Sequence, residues 1–298
     1  GAMVQCDDDP EAVFDLLCEK GWSDGLPVIP PTPERVERML AYCDRDLDQP
    51  VIKIPPRFGA ATPVRIAANA VMAGCKPQHF PLVILALEAL GEEQYNLYGT
   101  QATTHPCTPM LIFNGPIAKE VGLNSGNNVM GNYFRANAVI GRAVRLALVN
   151  IGAAIPGTGD MATAGTPAKF TFRVAENEDA SPWEPLHVEM GLPKEATAVT
   201  VVAAESPHNV NDHESITPEG ILTMCAGTMA NTGSNNAYYD GQPVMAFGPE
   251  HAQTVASGGM KKPEVKQWLW ERATLPMSKF SKEGIERRFR RKLAEKFA

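Results

Sequence analysis

Two periodicities in the hydrophobic pattern of the chain predict helices and strands in mixed order. Apolar residues recur at helical spacing or fill helix-length segments over residues 9–20, 62–74, 81–90 and 133–150. Short runs of β-forming or apolar residues lie at 51–54, 110–113, 170–174 and 197–204. Because the last of these is rich in valine and lacks charge, we expect it to be the clearest buried strand.

Pairs of a capping residue and proline mark the starts of the helices. Asp9-Pro10, Thr32-Pro33, Thr62-Pro63 and Thr217-Pro218 all have a side chain that can cap a helix, followed by the residue that suits its first turn. Gly74 then predicts the end of the helix that begins at Pro63.

A sequence motif occurs twice. Gly-Thr-x-Ala-x-Thr begins at Gly99 and again at Gly227, and each copy continues to Pro-x-x-x-Phe and then Gly-Pro. If the repeat is not a chance match, residues 110–113 and 244–247 are equivalent strands, each leading into a helix. The cleft between the two copies would then be the expected site.

These patterns predict an α/β fold with an internally duplicated Rossmann-like core and additional N- and C-terminal helices. We expect an N-terminal helical arm at 1–50, a first α/β half at 51–195, a second at 196–277, and a basic C-terminal helix at 278–298. Neither a dinucleotide fingerprint nor a P-loop follows a strand.

Composition narrows the choice of partners and compartment. The net charge of −7 argues against nucleic acid, and the longest strongly apolar run, 80–87, is too short to span a membrane. The six cysteines are scattered without metal-binding or redox spacing, which predicts reduced thiols in the cytoplasm. Residues 1–3 resemble a cloning scar, and no signal peptide is expected after them.

The C-terminal segment is basic and carries a narrow apolar stripe. Residues 279–298 hold eight Lys or Arg and three Glu, with Ile285, Phe289, Leu293 and Phe297 at four-residue spacing. This pattern predicts a helix that docks on a neighbouring subunit or on its own chain, and favours a homo-oligomer or a partner subunit over a membrane anchor.

An Asn/Gly-rich loop precedes the long helix at 133–150 and predicts an anion site. Asn124, Ser125 and Asn128 would offer amides and backbone N–H groups, and Arg135 in the first helical turn would clamp a carboxylate or phosphate. Asn114, at the strand-to-helix turn of the first copy, is a further substrate-binding candidate. The alternative is an ordinary Asn/Gly turn with Arg135 in water.

The densest polar cluster follows the 197–204 strand and includes Glu205, His208, Asp212 and His213. His208, Asp212 and His213 are ligand types for zinc, iron or manganese, so a divalent metal ion is the candidate cofactor. The rival interpretations are acid/base catalysis by His208 or His213, or a capping network in front of the Thr217-Pro218 helix.

Three further residues are catalytic candidates by position. His105 lies in the Thr/His/Cys loop of the first copy, and His251 lies at a helix start in the second. Cys75 follows Gly74 at a helix-to-helix junction, where it is either a thiol activated by a helix N-terminus or a small buried residue. Glu176 and Glu178 end the 170–174 strand, where α/β folds place ligand contacts.

Several phrases resemble a family of uncharacterised bacterial proteins of about this length. They include DGLPVIPPTPERVERML, QATTHPCTPMLIFNGPIA, ASPWEPLHVE and GPEHAQTVASGG. Relatives are associated with a partner domain carrying a selenocysteine- or cysteine-Gly-Ser-Cys motif. The resemblance favours a bacterial enzyme over a binding module. The association with a partner domain implies that Cys75 has a redox role.

Together these features predict an enzyme that acts on a small polar, carboxylate-bearing molecule by acid/base or metal-assisted chemistry, as a lyase, hydratase or hydrolase. A Cys75-dependent isomerase or redox protein is the second hypothesis. The third is a non-catalytic subunit that binds a partner through its C-terminal helix.

Overall fold

The computed structural model describes residues 4–239 and 241–291, which form two compact units. The large unit runs to Glu178 and resumes over Pro185–Pro207. The small unit contains Asp179–Glu184 and continues from His208. The chain is thus a mixed α/β protein in which most regular structure is helical.

The helices of the large unit are α1 (Pro10–Glu19), α2 (Pro33–Leu40), α3 (Pro63–Ala73), α4 (Phe80–Leu90), α5 (Leu97–Ala102), α6 (Ile117–Glu120), α7 (Arg135–Asn150) and α8 (Leu186–Glu189). Short 3₁₀ turns lie at Pro77–His79, Glu93–Tyr95 and Pro167–Lys169.

Two small sheets complete the large unit. β1 (Ile52–Ile54) and β2 (Gly59–Ala61) form an antiparallel pair. In the second sheet the central strand β3 (Thr108–Asn114) runs parallel to β4 (Arg173–Ala175) and antiparallel to β5 (Ala198–Ala204).

Every residue of β3 is buried, because both faces of the strand carry a hydrophobic cluster. Leu111 and Phe113 point into the main core, which α3, α4 and α7 build. Met110 and Ile112 point to the opposite face, where they pack with Phe172 and Val174. The strand β3 is therefore a buried layer whose own polar residues, Thr108 and Asn114, lie at its two ends.

The small unit is helical in its regular structure. Its helices are α9 (Pro218–Met229), α10 (Pro249–Ser257), α11 (Lys262–Arg272) and α12 (Lys282–Gly284), with a π-helical turn at Ile285–Phe289 and 3₁₀ turns at Asn235–Ala237 and Met277–Lys279. Its core joins Leu222 of α9, Val255 of α10 and Leu269 of α11. The Trp183 indole packs against this core and donates to the Met260 carbonyl (3.0 Å).

The predicted helix starts are confirmed. Helices α1, α2, α3 and α9 begin at Pro10, Pro33, Pro63 and Pro218. Asp9 Oδ2 accepts from the Ala12 N–H (2.8 Å), and Gly74, at φ +93°, ends α3 as predicted.

The predicted duplication is wrong in its second copy. Residues 110–113 lie in β3, whereas residues 244–247 form no regular element, so the two segments are not equivalent units of loop, strand and helix. Proline at 243 and exposed Val244 explain the difference, because a strand there would lose a backbone donor and bury little. The antiparallel direction of β5 likewise departs from the parallel sheet of a Rossmann-like core.

Two further expectations need correction. The strand β5 is mostly half-buried and not the buried strand predicted, since it pairs with β3 on one edge only. It also belongs to the large unit, whereas the expected second half began at 196.

Among residues 4–239 and 241–291, no helix is both long and apolar enough to cross a membrane.

The C-terminal stripe is partly visible. Phe289 packs within the small unit against Phe280 and Tyr238, with ring centroids 5.0 and 5.9 Å apart, and the Arg288 guanidinium lies over Tyr239. Phe289 is therefore covered by its own chain. Leu293 and Phe297 lie outside the described residues, and docking on another subunit stays a prediction.

The segment between α1 and α2 is tied to α7 by a buried ion pair. The Arg142 guanidinium donates to both carboxylate oxygens of Asp24 (2.7 and 2.8 Å), and both side chains are largely buried. We expect Asp24→Asn to lower the free energy of unfolding by about 3 kcal/mol, because it leaves Arg142 buried without its counter-charge.

The matched control is Asp44→Asn, which removes a well-exposed carboxylate paired with Arg45 and should change stability by less than about 1 kcal/mol. Urea unfolding of both variants measures the difference. Equal effects would mean that the Asp24 pair adds nothing beyond a surface contact.

Candidate functional site

Three segments converge at the end of the sheet where β3 begins and β5 ends. The loop at 157–169 is attached to the segment before β3 by backbone bonds from Met161 to Gln101 (3.2 Å) and from Thr163 to Thr104 (3.0 Å). The hydroxyl of Thr166 in the same loop is hydrogen-bonded to that of Ser206, which follows β5. Side chains distant in sequence are therefore held together here.

His105 and Glu205 form a pair at this end. The distance from His105 Nδ1 to Glu205 Oε1 is 4.0 Å, and the side chains are 43% and 39% exposed. The two residues are close because β3 and β5 are antiparallel, with Thr108 opposite Ala204. A solute can thus reach a histidine that has a carboxylate beside it.

The loop at 157–169 also contributes to a buried group of charges. Asp160 accepts hydrogen bonds from Arg145 of α7 (2.5 Å) and from Lys169, whose Nζ is 2.6 Å from both carboxylate oxygens. Burial raises the pKa of Asp160, but the Lys169 hydrogen bond and the Arg145 charge outweigh it and hold this pKa below its ordinary value. Two cations against one carboxylate leave one excess positive charge.

Cys107 directly precedes β3 and is half-buried. Burial and the negative charge of Glu205 raise the pKa of the Cys107 thiol, while the positive charge of Lys169 opposes them. Both charges must therefore lie near its sulfur. The thiol is protonated at neutral pH, which makes it a poor unassisted nucleophile.

At the opposite end of the sheet, two carboxylates are hydrogen-bonded to one buried amide. Asn114 is 1% exposed, and its Nδ2 donates to Glu176 (2.6 Å) and Glu178 (3.0 Å). Glu178 also accepts from the Gly115 N–H (2.7 Å), and Glu176 from the Leu186 N–H (2.7 Å). The predicted substrate-binding Asn114 thus joins β3 to the segment after β4.

The polar cluster predicted after residues 197–204 is divided. Glu205 belongs to the large unit, whereas His208, Asp212 and His213 belong to the small unit. Asp212 Oδ1 accepts from the N–H groups of Glu214 and Ser215, which makes a turn in front of α9. The hydrogen bonds from Ser215 lower the Asp212 pKa, and the charge of His251 adds to them.

The histidines of the small unit are used in this turn or exposed. His251 contacts the Asp212 carbonyl through Nε2 (3.0 Å), His208 contacts the carbonyl of its neighbour Asn209 (2.8 Å), and His213 is exposed. Of the three alternatives, the geometry favours the capping network. Over residues 4–239 and 241–291 no set of three or more His, Cys, Asp or Glu is arranged as metal ligands, so His208, Asp212 and His213 are not gathered into the predicted set.

The Asn/Gly loop before α7 is largely self-bonded. Asn124 donates to the Asn127 carbonyl (2.8 Å), and Asn128, at φ +60°, donates to the Asn132 carbonyl (3.1 Å). The buried Asn137 of α7 holds this loop through both backbone groups of Asn124. Ser125 is half-buried within it.

Arg135 has another partner than the predicted anion. Its Nε and Nη2 both donate to the Gly74 carbonyl (3.1 and 2.8 Å), which ties the start of α7 to the end of α3. A different arginine, Arg173 of β4, reaches the loop from below and donates to the Gly131 carbonyl (2.9 Å). No sequence signal indicated this contact, because a single arginine in an alternating strand is typical of a surface position.

Cys75 is buried and bonded. Its thiol contacts the Val139 carbonyl (3.5 Å), and burial raises its pKa far above the ordinary value. The small, buried residue is therefore the correct one of the two interpretations. His187 is likewise buried, in α8, with Nε2 against the Lys194 carbonyl (3.1 Å).

Of the predicted catalytic residues, only His105 lies in the cluster at the start of β3. Sequence reasoning missed Cys107, Asp160 and Lys169, although the shared Gly/Thr/Ala composition of 99–107 and 157–166 was a signal that connects the two segments. Comparison with protein-family models, curated proteins and solved structures finds no match to this chain.

The burial of Cys75 makes its reactivity measurable. In the native protein we expect iodoacetamide to alkylate the exposed Cys18 rapidly and Cys75 only when the large unit unfolds, because both access and thiolate are suppressed. Peptide mass spectrometry after timed labelling reports each site. Labelling of native Cys75 at the rate of Cys18 would restore it as a reactive thiol.

Proposed function

We propose that the protein is an enzyme acting on a small polar, carboxylate-bearing molecule by general acid/base chemistry, in the lyase, hydratase or hydrolase class. The reacting group is the His105–Glu205 pair. The observation that carries the proposal is the exposed imidazole with a carboxylate 4.0 Å from Nδ1, held by three converging segments.

The role of each member follows from its charge. Glu205 orients the imidazole from the Nδ1 side, so that Nε2 exchanges the proton with the substrate. Positioning of this kind requires fixed backbone on both sides of the pair, which the antiparallel β3–β5 ladder supplies.

The charge group supports an anionic substrate. When His105 is protonated, it and Glu205 neutralise one another, and the excess positive charge of Arg145 and Lys169 over Asp160 remains. Lys169 acts at close range, since its charge already affects the Cys107 thiol. A carboxylate approaching His105 would therefore meet a favourable field.

Cys107 fits a supporting role in this scheme. Its raised pKa keeps the thiol neutral, so it can donate a weak hydrogen bond without adding a second negative charge beside Glu205. The redox and isomerase hypothesis named Cys75, which is enclosed in the core.

An assay that needs no prior substrate tests the proposal. The protein is incubated in D₂O with a panel of small hydroxy, keto and unsaturated carboxylic acids, and proton NMR follows hydration, elimination and C–H exchange. We expect turnover or exchange with at least one compound, and a loss of about 10²-fold or more in His105→Gln and in Glu205→Gln.

His208→Gln is the matched control. His208 is an exposed histidine whose ring contacts the carbonyl of its neighbour Asn209. It should retain full activity. Activity that survives His105→Gln but disappears in His208→Gln would move the site to the small unit and contradict the proposal.

A further inference from the structure

The most unusual charged residue of the large unit is Arg173, the first residue of β4. The residue is 1% exposed, and its Nη2 donates to the Gly131 carbonyl (2.9 Å). The Nε and Nη1 atoms are fully enclosed, and within the described part of the chain neither has a hydrogen-bond partner. Burial lowers the pKa of this guanidinium to about 10, a value at which it remains charged near neutral pH.

Other enclosed arginines of this unit are neutralised. Arg142 contacts Asp24 and Arg145 contacts Asp160, each within 2.8 Å of a carboxylate oxygen. Arg173 has a carbonyl instead, which compensates one donor and none of the charge. Buried charges in proteins are paired, and a buried donor without a partner indicates a missing water, ion or ligand.

The surroundings of Arg173 favour a negative group. Gly131 lies just before the start of α7, a helix of 16 residues whose N-cap, Phe134, makes no side-chain capping bond. The unsatisfied N–H groups of that first turn add partial positive charge on the same side of the loop. The helix terminus and the guanidinium thus act in the same direction.

The loop that Arg173 contacts contains one residue in a strained backbone conformation. Tyr133 has φ +87° and its side chain is 90% exposed, an unfavourable combination for a large non-glycine residue. Asn128 also lies in the left-handed region. The strained residue, Tyr133, is thus two positions from the Gly131 carbonyl that Arg173 holds.

We infer that Arg173 and the first turn of α7 bind a small oxyanion, a carboxylate or a phosphate, beneath the loop at 128–133. A guanidinium offers paired N–H donors that match two oxygens of such a group, and the helix N-terminus supplies further donors. Because Nε and Nη1 are enclosed, the anion reaches these donors when the loop at 128–133 moves aside, and it then neutralises the buried charge. This site does not depend on the His105–Glu205 pair.

Stability measured against anion concentration tests the site without an activity assay. Melting temperatures are recorded in phosphate, acetate and chloride at matched ionic strength, above pH 7. Wild type should show a saturating rise of about 3–6 °C with phosphate or acetate and none with chloride. The phosphate and acetate arms distinguish a tetrahedral from a planar ligand.

Three variants separate a specific site from general salt effects. Arg173→Met should fold, since an apolar side chain replaces an unpaired buried charge, and should retain only the unsaturable rise that excluded salts give. Arg173→Lys should bind weakly because it keeps the charge and loses the paired donors. Arg135→Gln, whose guanidinium is bonded to Gly74, should respond like wild type.

A direct readout on wild type covers the case in which the variants misfold. In protein labelled with ¹⁵N-arginine, the Nε–H resonance of Arg173 should shift on titration with the stabilising anion. A saturating response that persists in Arg173→Met overturns the inference. So does the absence of any saturable response in wild type, which would leave Arg173 as a buried structural charge without a ligand.

Discussion

The complete burial of β3 is the constraint on which the large unit depends. Both faces of this strand are packed, both edges are paired, and seven consecutive residues are out of contact with water. A polar side chain within the strand would lose its hydration without a partner, so chemistry is displaced to the ends. His105 and Cys107 precede one end, and Asn114 with its two glutamates occupies the other.

The two ends differ in how their charges are used. At the Asn114 end, one amide nitrogen and two backbone N–H groups hold the carboxylates, so the glutamates are structural ties between β3 and the chain after β4. At the His105 end, the carboxylate of Glu205 is partly exposed beside an exposed imidazole. The glutamates at the two ends therefore differ in their exposure to solvent. Those beside Asn114 tie segments together, whereas Glu205 can be reached by a solute.

Local signals in the sequence predicted local structure. Asp9, Pro33, Pro63 and Gly74 mark helix ends because capping and backbone preference act within a few residues, and each prediction is confirmed. The strand β3 was recognisable as a short apolar run. What the sequence could not show is which strands pair, and therefore that β5 is antiparallel and half-exposed.

The candidate sites depended on the same non-local information. Glu205 comes near His105 through the pairing of β3 with β5, and Arg173 lies in a strand that packs against α7. Conversely, His208, Asp212 and His213 looked like a ligand set because they are close in sequence. In the structure they form a turn instead, because Asp212 accepts hydrogen bonds from the N–H groups of Glu214 and Ser215.

The pairing of β3 with β5 has a consequence for how the chain acquires its structure. Thr108 lies opposite Ala204, so the ladder joins two positions that are far apart in the sequence. Contacts of such sequence separation close large loops and form slowly compared with helices. At a synthesis rate of about 5–20 residues per second, β3 leaves the ribosome about 5–20 s before its partner exists. During that interval the most apolar strand of the protein has an uncovered edge, and the early helices α3 and α4 are the elements available to shield its face.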